Sequence, residues 1–142
     1  MASEVASTAE SVFNQLKNVP MQGELERGTG GYLAIYGENS GKSCPLLVVA
    51  IGENPKFLYV GWSMRSACAA SAYKESEYGS ICIGGIAMAF MGFPSFEYNQ
   101  ALCLLVAKKL GWLTEEEAIQ KNPLVGSWIS QIQKPSDETP SI

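Results

Sequence analysis

From Tyr78 to Phe96 the chain runs nineteen residues without a charge, and the punctuation of that stretch limits what the rest can build. A membrane-spanning helix needs about 20 predominantly apolar residues in succession. Here Gly79, Ser80, Gly84, Gly85, Gly92, Pro94 and Ser95 break the run, leaving a dense apolar segment only from Ile81 to Phe93. That is too short to span, so the segment has to be covered by packing in the core of a folded domain. Periodicity does not separate strand from helix in a continuous apolar run. Ile81, Ile83 and Ile86, with the helix-weakening pair Gly84-Gly85, favour one strand over Ile81 to Phe90.

The flanking sequence supplies elements for that segment to pack against. Ser3 to Lys17 carries Val5, Ala9, Val12, Phe13 and Leu16 at spacings of three and four, the stripe of an amphipathic helix, which Asn18 and Pro20 close. A connector containing Gly23, Gly28, Gly30 and Gly31 leads to Tyr32 to Tyr36, a strand by its β-branched and aromatic content, and Gly37 to Lys42 is rich in turn residues. Leu46 to Ile51 is continuously apolar, as in a strand buried on both faces. The turn signal Gly52-Glu53-Asn54-Pro55 separates it from a third expected strand, Phe57 to Trp62. Three strands joined by short loops make an antiparallel meander.

Met64 to Tyr78, with Ala67, Cys68, Ala70, Ser71 and Ala72, is expected to be a small-residue helix lying flat on the meander and stopping at Gly79. Ser95 fits an N-cap ahead of the stripe Tyr98, Ala101, Leu102, Leu105, Val106 and Leu110, which ends in Lys108, Lys109 and Gly111. Thr114-Glu115-Glu116-Glu117 fits a capping box, Asn122-Pro123 ends that helix, and Val125, Trp128, Ile129 and Ile132 predict a last turn or two. The expectation is one compact α+β domain over residues 1–133, an antiparallel meander with helices packed on it. A flexible polar tail, 134–142, follows.

Composition narrows the chemistry. The 142 residues are enough for one domain with a real core. Net charge is −4 and no run of Lys or Arg offers a footprint for nucleic acid, which disfavours nucleic-acid binding. Histidine is absent and Asp137, in the tail, is the only aspartate. That removes Ser-His-Asp and Cys-His catalysis, His-ligated zinc and most paired-Asp metal sites. Cys44, Cys68, Cys82 and Cys103 form no C-x-x-C pair and sit among apolar or small residues, as free thiols do in a reducing cytoplasm. The opening MASEVASTAE lacks the basic region and apolar run of a secretory signal, so the expected location is cytoplasmic.

Four motifs invite a functional reading, each against a structural one. Gly37 to Ser43 resembles a phosphate-binding loop but has Tyr36 where the first glycine belongs, and a strand-like segment rather than a helix follows, so a hairpin turn explains it better. Cys82, beside Gly84-Gly85, is a candidate nucleophile with backbone amides at hand. Its activation needs a cation, the nearest in sequence being Lys74 and Arg65, and a small core residue is the simpler account. Glu24/Glu26, Glu75/Glu77 and Glu115 to Glu117 are carboxylate clusters, the last placed to meet a helix dipole. Tyr32, Tyr36, Tyr59 and Trp62, with Phe57, fall on expected neighbouring strands and offer a stacking face for a planar ligand, with Arg65 just beyond as a clamp for carboxylate or phosphate. Cross-strand aromatic packing and a surface ion pair are the competing accounts.

The order helix, strands, helix, strand, helix is similar in outline to profilin-like small α+β domains, including roadblock-type dimerisation modules and the haem-degrading-domain-like family. Pro45 to Tyr73 looks like the latter family's apolar strand, second strand and Ala-rich helix, and Gly84-Gly85-Ile86-Ala87 looks like its late glycine-containing strand. The chain adds a strand before these and has fewer residues between Gly79 and Pro94 than that family's intervening hairpin. A haem here would take Cys, Met or Tyr as axial ligand, and no functional residue is carried over.

The function expected from these residues is a non-catalytic ligand-binding or regulatory interaction domain. It self-associates through a sheet edge or through the Met88/Phe90/Met91/Phe93 segment. The alternative is a thiol-dependent enzyme using Cys82 on a small anionic substrate. No metal site is expected, and no cofactor is identified.

Overall fold

The computed structural model describes residues 2–16, 19, 30–37, 45–53, 55–73, 79–93 and 95–133. The elements run α1 (Ala2–Gln15), β1 (Gly30–Gly37), β2 (Leu47–Gly52), α2 (Leu58–Tyr73), β3 (Ser80–Ile83), β4 (Ile86–Met91), α3 (Phe96–Lys109), α4 (Glu115–Lys121) and α5 (Leu124–Gln133). The strands form one antiparallel sheet in the order β2-β1-β4-β3. This is the α+β class with helices on an antiparallel sheet that the sequence predicts.

Side-chain alternation along β1 sorts the layers. Leu33 and Ile35, with Phe90 and Met88 beside them on β4, enter the larger core with Val5, Val12, Phe13, Leu102, Leu105 and Trp128 from the helices. Each such fully buried side chain stabilises the fold by about 1.5–3 kcal/mol. Ala34 and Tyr36 point the other way, where Ala89 and Ala67 meet them and Val48, Met64 and Cys68 pack around. The alanines on both sides let α2 lie close to the sheet. Thus α2 covers one face, α1 and α3 cover the other, and α5 packs on α3.

Two sequence expectations are corrected. Phe57 to Trp62 is not a third strand: Leu58 opens α2, entered through turns in which Tyr59 N–H donates to Lys56 O (2.9 Å) and Val60 N–H to Phe57 O (3.1 Å). The sheet is therefore not three consecutive strands: β2, beside which a third strand of a meander would lie, stays at the edge, and β4 takes the other side of β1. Aromatic content favours strands only where a half-buried sheet position receives it, and here the helix face that covers the sheet overrides local preference. Second, Ile81 to Phe90 is not one strand but the hairpin β3–β4. Ile83 pairs with Ile86 across Gly84-Gly85, with Gly84 at φ +56°, as the first central position of a two-residue hairpin turn requires.

Tight packing also moves the start of β1 back to Gly30, into the expected connector. A Cβ on Gly31 would lie 2.1 Å from Met91 O and 2.6 Å from Phe90 Cζ, and one on Gly92 2.7 Å from the same ring atom. The Phe90 ring occupies the space that side chains at 31 and 92 would need.

The C-terminal helices follow the sequence closely. Ser95 Oγ accepts from Glu97 N–H at 3.2 Å. Thr114 and Glu117 close a capping box, with Glu117 N–H donating to Thr114 Oγ1 (3.1 Å) and Thr114 N–H to Glu117 Oε1 (2.9 Å). Hydrogen bonds to the carboxylate, from the Thr114 N–H first and the Thr114 hydroxyl second, hold the Glu117 carboxyl below its ordinary value. Because the folded-state value is depressed, this contribution is present above the unfolded pKa and is lost as pH falls through the folded one. In Thr114→Ala, which loses the hydroxyl and keeps the N–H, a carbon-detected NMR titration is expected to find the Glu117 pKa risen part of the way towards its ordinary value. An unchanged pKa would contradict the contribution of the hydroxyl.

Asn122, 3% exposed, ties the end of α4 to α3 and starts α5. Its Nδ2 donates to Glu97 O (3.0 Å) and Gln100 Oε1 (3.2 Å), and its Oδ1 accepts from Leu124 N–H (3.1 Å). Pro123 then stands where a first-turn N–H would be unpaired in any case. Among the described residues no helix is long and apolar enough to cross a membrane, and Tyr78 to Phe96 contains the β3–β4 hairpin instead. The proposed tail, 134–142, and the expected glutamate pairs at 24/26 and 75/77 lie outside the described residues.

Candidate functional site

Where α2 crosses the end of β4, the chain leaves an open cleft. Trp62, Arg65, Ser66 and Ala69 stand at positions i, i+3, i+4 and i+7 on one face of α2, so their side chains form a single wall. Met91, the last residue of β4, and Phe96, the first of α3, complete a cavity of about 400 Å³. That volume is within the range of small-molecule sites.

The turn between β4 and α3 borders the cleft and is fixed by one side chain. Asn99, fully buried on α3, accepts from Phe93 N–H at Oδ1 (2.9 Å), while its Nδ2 donates to Phe93 O (3.2 Å) and lies 3.5 Å from Met91 Sδ. One amide thus clips the turn and orients the thioether on the cleft wall. Met91 is 6% exposed and Ser66 3%, whereas Trp62 (46%) and Phe96 (53%) are exposed large apolar residues. Outside the cleft, Phe57 (82%) and Leu58 (58%) extend the same helix end as exposed apolar surface. The Tyr59 ring lies 5.9 Å from that of Trp62 at 46°.

Arg65 is exposed and is the one formally charged residue lining the cleft among the described residues. No described carboxylate pairs with it; the ion pair between described residues is Lys108 with Glu115 at 3.7 Å.

The structure brings the expected site residues together only in part. Trp62 and Arg65 share the cleft and Tyr59 packs beside Trp62, but all three are on α2, not on neighbouring strands. Tyr32 is half-buried on β1 directly opposite Met91 in the register. Tyr36 is buried at the other end of β1, under α2, and is a packing residue. Ser66, Ala69 and Phe96 are cleft residues that the sequence reading does not single out, and Met91, expected at an interface, lines the cleft instead. The spacing 62, 65, 66, 69 signals the first two once the segment is read as helix from Leu58; nothing local in the sequence brings Met91 and Phe96 to it.

Cys82 is half-buried on the edge strand β3, opposite Ala87, and is not among the residues lining the cleft. Cys68 and Cys103 are free thiols as well, and burial pushes the Cys103 thiol far up, against a smaller opposing effect of a backbone hydrogen bond at Phe90. Residues 38–44, which include Cys44 and most of the loop resembling a phosphate site, lie outside the described residues. β1 and β2 on either side are antiparallel neighbours, with Leu46 N–H donating to Ile35 O at 2.7 Å, so a strand follows where a phosphate loop needs a helix. The Met88, Phe90, Met91 and Phe93 segment, expected as an interface, is buried within the chain itself. Among the described residues no three His, Cys, Asp or Glu side chains cluster as metal ligands.

Compared with known protein families, with curated proteins and with solved structures, the chain finds no match.

Proposed function

We propose that this protein is a non-catalytic binding domain of the cytoplasm that takes a small molecule in the cleft between α2 and the β4–α3 turn. The observation that carries the reading is the cavity itself: about 400 Å³, walled by Trp62, Met91 and Phe96 and fixed by the buried Asn99. Apolar walls with a few placed polar groups are the usual make-up of such sites. The chain has no histidine, and no carboxylate, cysteine, lysine or tyrosine is among the described residues lining the cleft, which favours binding over catalysis there. Self-association belongs to the same proposal, with Phe57 and Leu58 as the exposed apolar contact beside the cleft.

Native mass spectrometry of protein purified gently from its source tests both parts, because one spectrum reports subunit count and any retained small molecule. The expected result is an oligomer carrying a non-covalent adduct that Trp62→Ala loses. An adduct retained by Trp62→Ala, or none at all, contradicts the ligand reading; a strict monomer at micromolar concentration contradicts self-association.

A further inference from the structure

We propose that the cleft selects an organic anion, with a flat apolar body against Trp62 and Phe96 and an acidic group held by the Arg65 guanidinium. This rests on the cleft being a ligand site and adds the chemical class of the ligand. Five of the six described lining residues are neutral, so among them Arg65 alone sets the sign of charge that the walls favour.

Its availability is the second observation. The chain has fourteen acidic residues against ten basic ones, yet no described carboxylate pairs with Arg65. Arg65 stands three residues after Trp62, so the guanidinium and the indole leave the same helix face less than one turn apart. A ligand lying on the indole therefore presents its end group to a planar fork that matches two oxygens of a carboxylate, sulfonate or phosphate. A neutral ligand gains nothing there, and a cationic one is repelled.

The start of α3 adds a weaker preference of the same sign. Phe96 is its first residue, which places the partial positive end of the helix beside the cleft. Glu97, on the same turn and outside the lining, offsets part of that field. The discrimination accordingly depends on Arg65.

Two fluorescent probes separate charge from shape. 1-Anilinonaphthalene-8-sulfonate and N-phenyl-1-naphthylamine share one apolar body and differ by the sulfonate. Titrated into the full chain, the sulfonate is expected to bind one site per chain at least about tenfold more tightly than the neutral probe. Arg65→Gln should bring the two affinities together, and Arg65→Lys, which keeps the charge but loses the fork, should fall between. Trp62→Ala should weaken both probes alike. Arg65 and Trp62 are exposed on a helix surface, so circular dichroism of the variants is expected to match the parent. Equal affinity for the two probes, or a ratio unchanged in Arg65→Gln, overturns the anion assignment and leaves the cleft standing. If neither probe binds, or Trp62→Ala weakens neither, the cleft reading itself fails.

Discussion

Gly31→Ala is expected to destabilise the fold by about 3 kcal/mol or more, lowering the melting temperature by on the order of 10 °C. The cause is lack of space. The new methyl would meet Met91 O at 2.1 Å and the Phe90 ring at 2.6 Å, and the first of these is backbone of the adjacent strand, which moves only if β1 and β4 part. Phe90 is itself fully buried and tilted against Phe13 and Phe93 at ring separations of 6.1 and 5.5 Å, so the ring has nowhere to retreat. Gly61→Ala is the internal control. Nothing lies within 4 Å of a Cβ at Gly61, which is helical in α2, so the same change there should stabilise by about 0.5–1 kcal/mol. Urea denaturation of both variants checks the pair, and a Gly31→Ala protein as stable as the parent would refute the packing described around Phe90.

Trp128→Ala is expected to cost about 3–5 kcal/mol. Trp128 is 2% exposed on α5 and meets Tyr98 and Phe93 edge-on at ring separations of 5.6 and 6.0 Å. Removing it leaves a cavity bounded by rings that Phe13 and Phe90 hold from the other side, so collapse is limited. Because Phe93 is the residue that Asn99 clips, the loss should also loosen the β4–α3 turn. Calorimetric unfolding measures the first effect. A change below about 1 kcal/mol would mean that α5 is not part of the core.

How far the sequence foretells this molecule varies with the kind of signal. Ser95, Thr114 with Glu117, and Asn122-Pro123 mark helix ends by local hydrogen bonding, and the ends fall there. The stripe Val5, Ala9, Val12 and Phe13 marks α1 because one side of that helix is wet. The segments that mislead are those whose neighbours decide the outcome. β3 and β4 read as one run because both strands are apolar across the turn, although Gly84-Gly85 is itself a hairpin signal. Phe57 to Trp62 carries the aromatic content of a strand, and it forms the entry and first turn of α2 instead, with the Phe57 and Trp62 rings exposed. The cleft was legible as a set of residue types, Trp62 with Arg65, and not as a place. Its other side comes from β4 and α3, about thirty residues further on, and only the fold brings them together.

The most direct test of the account is to locate a bound ligand on the isotope-labelled chain. With 1-anilinonaphthalene-8-sulfonate added, amide and indole NMR shifts should change at Trp62 to Ala69, Met91 and Phe96, while the Trp128 indole, buried in the larger core, stays put. Shifts that move at Trp128 and Phe13 and leave α2 unchanged would contradict the cleft as the binding site.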